Sequence, residues 1–238
     1  MTLEELNNRI ISCRLCPRLV ENRERVAENP PPRYRSERYW ARPLPGFGDV
    51  NARLLVVGLA PAAHGGNRTG RMFTGDSSGD TLIKSLYRAG FANKDRSLSR
   101  DDGLVLKDAY ITAVVRCAPP RNKPTAAEIN NCIQYLAEEL RLLQNVKVCV
   151  ALGRLAFTTY LRLLRRENFK PKKRLLFRHG VVYRLEGLLY GRALPFLIAS
   201  YHPSRQNTST GRLTQRMLDH VFLKARVIVG WPSRPQHP

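Results

Sequence analysis

Two kinds of apolar pattern alternate along the chain. "RLLVVGL" (53–59), "DAYITAVV" (108–115), "VKVCVAL" (146–152) and "PFLIASY" (195–201) are short, continuous apolar runs rich in branched residues, the pattern of strands buried on both faces. The stretches between them carry helical spacing. "DTLIKSLYRAG" (80–90) predicts an amphipathic helix stopped by Gly90. Thr125 with Glu128 predicts a capping box that opens the helix "TAAEINNCIQYLAEELRLL". A third helix starts at Gly153 and a last one lies near 211–229. At the amino end, Thr2 with Glu5 predicts another capping box and a short helix to about Cys13. "RHGVVYRL" (178–185) reads as an additional strand or hairpin arm, and the prolines at 30, 31, 32, 43 and 45 make 28–48 an irregular covering loop. Strands alternating with helices imply an α/β fold, a central mainly parallel sheet with helices on both faces. No repeat or linker divides the chain, so one domain is expected over 1–230, with "WPSRPQHP" (231–238) as a disordered tail.

In such a sheet, ligands bind at the carboxyl ends of the strands. That rule singles out three loops, following the strands at 53–59, 108–115 and 195–201, which are expected to meet on one edge. The first is the most unusual. "GLAPAAHGGNRTGRMFTGD" (58–76) mixes Gly58, Gly65, Gly66, Gly70 and Gly75 with His64, Asn67, Arg68, Arg71 and Asp76. Small residues let a backbone approach another group closely, so something is expected to come close here.

Charge narrows the partner. Forty Lys+Arg against nineteen Asp+Glu give a formal charge of +21, which attracts polyanions and favours a nucleic-acid partner. No apolar run is long enough to span a membrane, and the acidic amphipathic start "MTLEELNNRIISC" is unlike a signal peptide. A cytoplasmic location follows, with no membrane partner and a monomer as the default state. In that compartment the five cysteines are not expected to form disulfides. Cys13 and Cys16 form C-x-x-C, while Cys117 and Cys132 flank "PPRNKP". Four thiolates from these two pairs suit either zinc or an iron–sulfur cluster. Cys149, inside "VKVCVAL", reads as an inert core thiol.

The long loops "GLAPAAHGGNRTGRMFTGD" and "HPSRQNTSTGR" (202–212), each after a buried strand, together with Cys13, Cys16, Cys117 and Cys132, resemble the type B (family 5) uracil-DNA glycosylases over nearly the whole chain. The resemblance implies the three-layer α/β/α uracil-DNA glycosylase fold and a 4Fe-4S cluster on those four cysteines, with zinc the secondary option. It also implies hydrolysis of the bond joining a damaged base to deoxyribose, in DNA containing uracil or other deaminated bases.

That chemistry assigns roles. The nucleotide must leave the stack for a pocket. Gly58, Ala60, Pro61 and Ala62 leave room for it, His64 is expected to contact the site, and Phe73 is the candidate to stack on the base. The sugar becomes cationic and the base leaves as an anion, so a carboxylate and a hydrogen-bond donor are needed. Asp76 and His202 are the candidates, with Asn122 positioning base or water; Asp76 is equally readable as a helix N-cap. Ser204, Arg205 and Asn207 suit phosphate contact or insertion into the duplex, and Arg68, Arg71 and Arg212 suit phosphate contact. Leu59 and Ala60 are apolar where other branches of the superfamily carry a polar, water-orienting residue, and Ala113 stands where type A relatives have a base-reading asparagine. A looser pocket accepting hypoxanthine beside uracil is the consequence. No lysine occupies an obvious nucleophile position in the three loops apart from Lys123, which implies a monofunctional enzyme. The competing reading is a non-catalytic, basic, metal-containing nucleic-acid binder. A nucleotide hydrolase lacks its G-x-x-x-x-G-K-[ST] motif.

Overall fold

A computed structural model describes residues 1–232. Its centre is a six-stranded sheet in the order β1-β3-β2-β4-β8-β5. The four inner strands are β3 (Ala109–Ala113), β2 (Leu54–Gly58), β4 (Val148–Leu152) and β8 (Phe196–Ser200), all parallel. These are the four apolar runs, and β2, β3 and β4 are buried at every position. The edges are antiparallel and two residues long, β1 (Phe47–Gly48) and β5 (Val182–Tyr183), a length that offers little for further strand pairing. Leu188–Leu189 (β6) and Arg192–Ala193 (β7) form a separate ribbon.

Strand alternation divides the core in two. Leu55 and Val57 of β2 face one cluster with Leu6 and Ile10 of α1 (Leu3–Ile11), Leu136 of α5 (Ala126–Leu142) and Phe157 of α6 (Arg154–Arg166). Leu54 and Val56 face the other, with Leu82 and Leu86 of α4 (Ser77–Arg88) and Phe222 of α8 (Gln215–Ile228). Each of these fully buried aliphatic or aromatic side chains contributes roughly 1.5–3 kcal/mol. Three layers result, as expected. Both capping boxes form, Thr2 with Glu5 and Thr125 with Glu128.

Three expectations need correction. The first helix ends at Ile11, before Cys13. A second helix, α2 (Pro17–Glu28), was not anticipated, because its interior carries only sparse apolar residues such as Leu19 and Val20. Its start is nonetheless marked, since Pro17 occupies the first helical turn directly after Cys16. The supposed tail begins too early: Trp231 stacks on Phe91 at 4.8 Å and lies beneath the Arg226 guanidinium. Residues 233–238 of that expected tail lie outside the described residues. No helix among the described residues is long and apolar enough to cross a membrane.

The loop 28–48 does act as a cover. It makes one 3-10 turn at Pro32–Tyr34, then Trp40, Ala41 and Leu44 donate backbone N–H groups to the carbonyls of Arg68, Asn67 and Arg116. It is thereby stitched to α3 (Gly66–Thr69) and to the end of β3.

Candidate active site

Helix α4, after β2, packs on one face of the sheet and α6, after β4, on the other. Adjacent strands β2 and β4 therefore send their chains in opposite directions, which opens a crevice at their carboxyl ends. A cavity of about 260 Å³ lies there. Its walls come from all three singled-out loops: Leu59, Ala60, Pro61, Ala62, Met72, Phe73, Asp76 and Ser78 after β2, Asn122 after β3, and His202 and Ser204 after β8. Segments distant in sequence thus converge on one cleft.

The small residues of the first loop are explained by what touches them. A Cβ on Gly58 would lie 2.8 Å from the Phe73 ring, and a Cβ on Gly65 would lie 2.1 Å from Asp76 Oδ2. Ring and carboxylate therefore rest directly on backbone. Phe73 also takes φ +51°, a left-handed conformation that costs a residue with a side chain about 1–3 kcal/mol. The cost is offset by packing that presents the ring to the cleft, 5.9 Å from the His202 ring and tilted by 31°.

The geometry of Asp76 is compatible with both readings that the sequence offered. The residue caps α4, with Oδ1 accepting the Gly79 N–H at 2.8 Å, and it lines the cavity. Burial raises its pKa above the ordinary 3.8, and backbone donation from Gly79 and Ser78 only partly opposes this. The result is a desolvated carboxylate, fixed in direction and more basic than usual. His202 is half-buried and lines the cleft. Burial lowers its pKa to about 4, so the imidazole is neutral at pH 7 and offers one ring N–H and one lone pair. Asn207 steadies this segment, its Nδ2 donating to the His202 carbonyl at 2.8 Å. Ser204 caps the short helix α7 (Arg205–Ser209) by accepting the Asn207 N–H.

The other expected contacts separate. Gly58 and His64 do not line the cavity; Gly58 lies behind Phe73, and His64 Nδ1 pairs with the Tyr39 hydroxyl at 2.9 Å. Arg71 is buried and bonded to Thr74, Ser97, Asp102 and the Arg100 carbonyl. Arg68 binds the His64 and Gly75 carbonyls, pairs with Glu37 and stacks on Tyr34 at 4.2 Å. Both are internal struts, a correction to the expectation of phosphate contact. Arg205 is exposed beside the cleft wall, and Arg212 is exposed over the Tyr201 ring. Met72 and Ser78 line the cleft without having been foreseen. Arg121 was also not singled out; it and Lys123 are exposed on either side of Asn122. Arg121 and Asn122 share positive φ, which turns this tip sharply.

The sequence model of the Uracil DNA glycosylase superfamily matches residues 45–226, a span containing every residue that lines the cavity. The chain belongs to the uracil-DNA glycosylase superfamily. Within it, this chain is 50% identical over 231 residues to the type-5 uracil-DNA glycosylase of Thermus thermophilus, covering 97% of this chain and 100% of the relative. It is 47% identical to the type-5 enzymes of Pyrobaculum aerophilum (95% and 93% covered) and Mycobacterium leprae (96% and 96%). The type-4 uracil-DNA glycosylase of Archaeoglobus fulgidus is more distant, 32% identical over 68% of this chain and 70% of the relative.

Cys13, Cys16, Cys117 and Cys132 are free thiols at the junction of α1, α2 and α5. Burial, with a smaller contribution from neighbouring thiols of the set, pushes Cys117 up to about 11 and Cys132 up to about 12. Among the described residues, no three His, Cys, Asp or Glu side chains converge as ligands of one metal ion. The donor set is nevertheless four soft sulfurs from two distant pairs, which suits iron–sulfur ligation. Cys149 is fully buried in β4, as expected.

Proposed function

We propose that this chain is a monofunctional glycosylase that hydrolyses the N-glycosidic bond of uracil in DNA, leaving an abasic site. The observation that carries this reading is the meeting of Asp76 and His202 in one cleft. The nucleotide leaves the stack and enters the cavity, with Phe73 against the base face and Leu59, Ala60, Pro61 and Ala62 around its edge. As the C1′–N bond breaks, its electron pair departs with uracil. The neutral His202 ring donates its N–H to the uracil oxygen that gathers this charge. A charged imidazolium would not be stable in such an enclosed place, and a neutral donor suffices. On the sugar side, the Asp76 carboxylate stabilises the positive charge developing at C1′. Water then adds to C1′ and gives up a proton, for which the raised basicity of Asp76 makes it the best placed acceptor. Asn122 reaches the cleft from the opposite loop and orients base or water.

Two features support a lesion range wider than uracil. Leu59 and Ala60 line the cavity with apolar surface, and Ala113 is buried at the end of β3 with no polar group to offer a base. Discrimination by shape alone is weak, so hypoxanthine is accepted as a second substrate and thymine is turned over more slowly than uracil. Arg205, Arg212, Arg121 and Lys123 supply exposed positive charge to flanking phosphates. Cys13 and Cys16 in the α1–α2 turn, Cys117 in the loop after β3 and Cys132 on α5 would hold a 4Fe-4S cluster, whose bonds would tie these segments together. The protein acts as a monomer, to be checked by size-exclusion chromatography with light scattering.

A labelled duplex with one U·G pair, incubated with protein and then treated with alkali, tests the reading. Strand cleavage at uracil supports the glycosylase. Retention of the duplex without cleavage supports the non-catalytic binder. A borohydride-trapped covalent adduct would overturn the monofunctional assignment.

A further inference from the structure

Two arginines are buried beside the cysteines, and their surroundings differ. Arg116, 1% exposed, is neutralised by Glu139, 0% exposed, through bonds of 3.0 and 2.5 Å, and Thr112 supports the same carboxylate at 2.6 Å. Arg23, on α2 and 3% exposed, has no such partner. The nearest carboxylate is Glu24 at 3.9 Å, and Glu24 is already bonded to Arg14 at 2.7 Å. The Nε atoms of Arg23 and Arg116 both lack a hydrogen-bond acceptor, so the difference between the two lies at their terminal nitrogens. What the Arg23 guanidinium does contact is Cys117 Sγ at 3.1 Å and the Cys13 carbonyl at 3.4 Å, both through one terminal nitrogen. A buried charge whose only carboxylate neighbour is distant and shared is costly, and the groups that its terminal nitrogen does bond are the Cys117 sulfur and the Cys13 carbonyl.

The other three sulfurs also have neighbouring donors. Asn131 Nδ2 points to Cys16 Sγ at 3.4 Å, the Tyr135 hydroxyl lies near Cys13, and the backbone N–H of Arg116 lies near Cys132. These three are neutral. Among these donors only Arg23 is charged, and its carboxylate neighbour Glu24 is 3.9 Å away and shared with Arg14.

We infer that Arg23 is a positioning residue for the cysteine cluster: it compensates the negative charge of the four thiolates and holds Cys117 by a charged N–H···S bond. This rests on the 4Fe-4S reading above. Hydrogen bonds and positive charge at cluster sulfurs raise the reduction potential and restrain the ligands. A role in packing alone would be met by any side chain of similar volume.

The test compares wild type, Arg23→Met and Arg23→Lys, each purified anaerobically. The readouts are iron content, the rate at which an iron chelator bleaches the visible absorbance, and the reduction potential followed by electron paramagnetic resonance. Arg23→Met, similar in length and uncharged, is expected to bleach at least several-fold faster and to shift its potential negative. Arg23→Lys, which keeps the charge but loses the planar donor pair, is expected to fall between the two. Should Arg23→Met not fold, Arg23→Lys decides alone, because bleaching faster than wild type is still required of it. Wild-type behaviour in every variant that carries iron would overturn the role of Arg23 and leave the cluster reading intact. A colourless, iron-free wild type would overturn the cluster reading itself.

Discussion

Replacing Asp76 separates its two tasks, because asparagine can perform one and not the other. The amide of Asp76→Asn would keep an oxygen able to accept the Gly79 N–H, now made at 2.8 Å, and asparagine is among the best N-cap residues. It removes the charge. Burial raises the Asp76 pKa above 3.8, so the folded state disfavours the ionised form relative to the unfolded chain. The ionised carboxylate therefore opposes folding at neutral pH, and this penalty disappears as pH falls below the unfolded value. Asp76→Asn is expected to melt at or above wild type at pH 7, with the difference closing as the solution is acidified toward pH 3.8. Asp76→Ala also loses the cap, about 1 kcal/mol, or roughly 2–4 °C in a domain of this size. Both variants should lose about 10²–10³-fold in single-turnover excision of uracil, the usual consequence of removing one electrostatic stabiliser of a transition state. Calorimetry across pH and rapid-quench cleavage of a U·G duplex supply the two readouts. Near-wild-type excision by Asp76→Asn would refute the catalytic assignment. A melting temperature for it as low as that of Asp76→Ala would refute the account of the buried charge.

His202, with a folded pKa of about 4 against 6.5 in the unfolded chain, makes the unfolded state bind more protons between those values. Stability should fall as pH drops from 6.5 to 4, and His202→Gln should flatten that slope while lowering single-turnover excision about 10²-fold at pH 7. A Cβ on Gly65 would press within 2.1 Å of Asp76 Oδ2, so Gly65→Ala should displace the carboxylate and slow excision about 10²-fold with little change in DNA affinity. Binding titrations alongside the kinetics check this. Arg205→Ala should weaken DNA binding and reduce the slope of log K against log salt by about one. Arg71→Ala, which breaks a buried network, should instead lower the melting temperature and leave the salt slope unchanged.

The sheet was legible because its inner strands are continuous apolar runs, and the helices near 80 and 125 because caps and periodicity agree there. Helix α2 escaped because "PRLVENRERVAE" shows too few apolar residues to reveal a period. That Asp76 and His202 share a cleft was legible because both lie in loops that follow parallel strands, His202 directly after β8 and Asp76 at the far end of the loop after β2. Arginine is another matter. Arg71 and Arg205 look alike in a chain of charge +21, yet one is buried in a network and the other exposed. Only tertiary neighbours such as Ser97 and Asp102 distinguish them. His64 was read as part of the site from its place in a glycine-rich loop, and the partner that holds it elsewhere, Tyr39, comes from the covering loop whose path no local pattern predicts.

The central claim is that one unstacked nucleotide fills the cleft between Asp76 and His202. A crystal structure of the Asp76→Asn variant bound to a duplex containing uracil tests it most directly. The account predicts the uracil extruded into the cavity, its face against Phe73, an oxygen within hydrogen-bond distance of the His202 ring, and C1′ facing the substituted side chain. A uracil still stacked in the duplex, or bound away from these side chains, would contradict it.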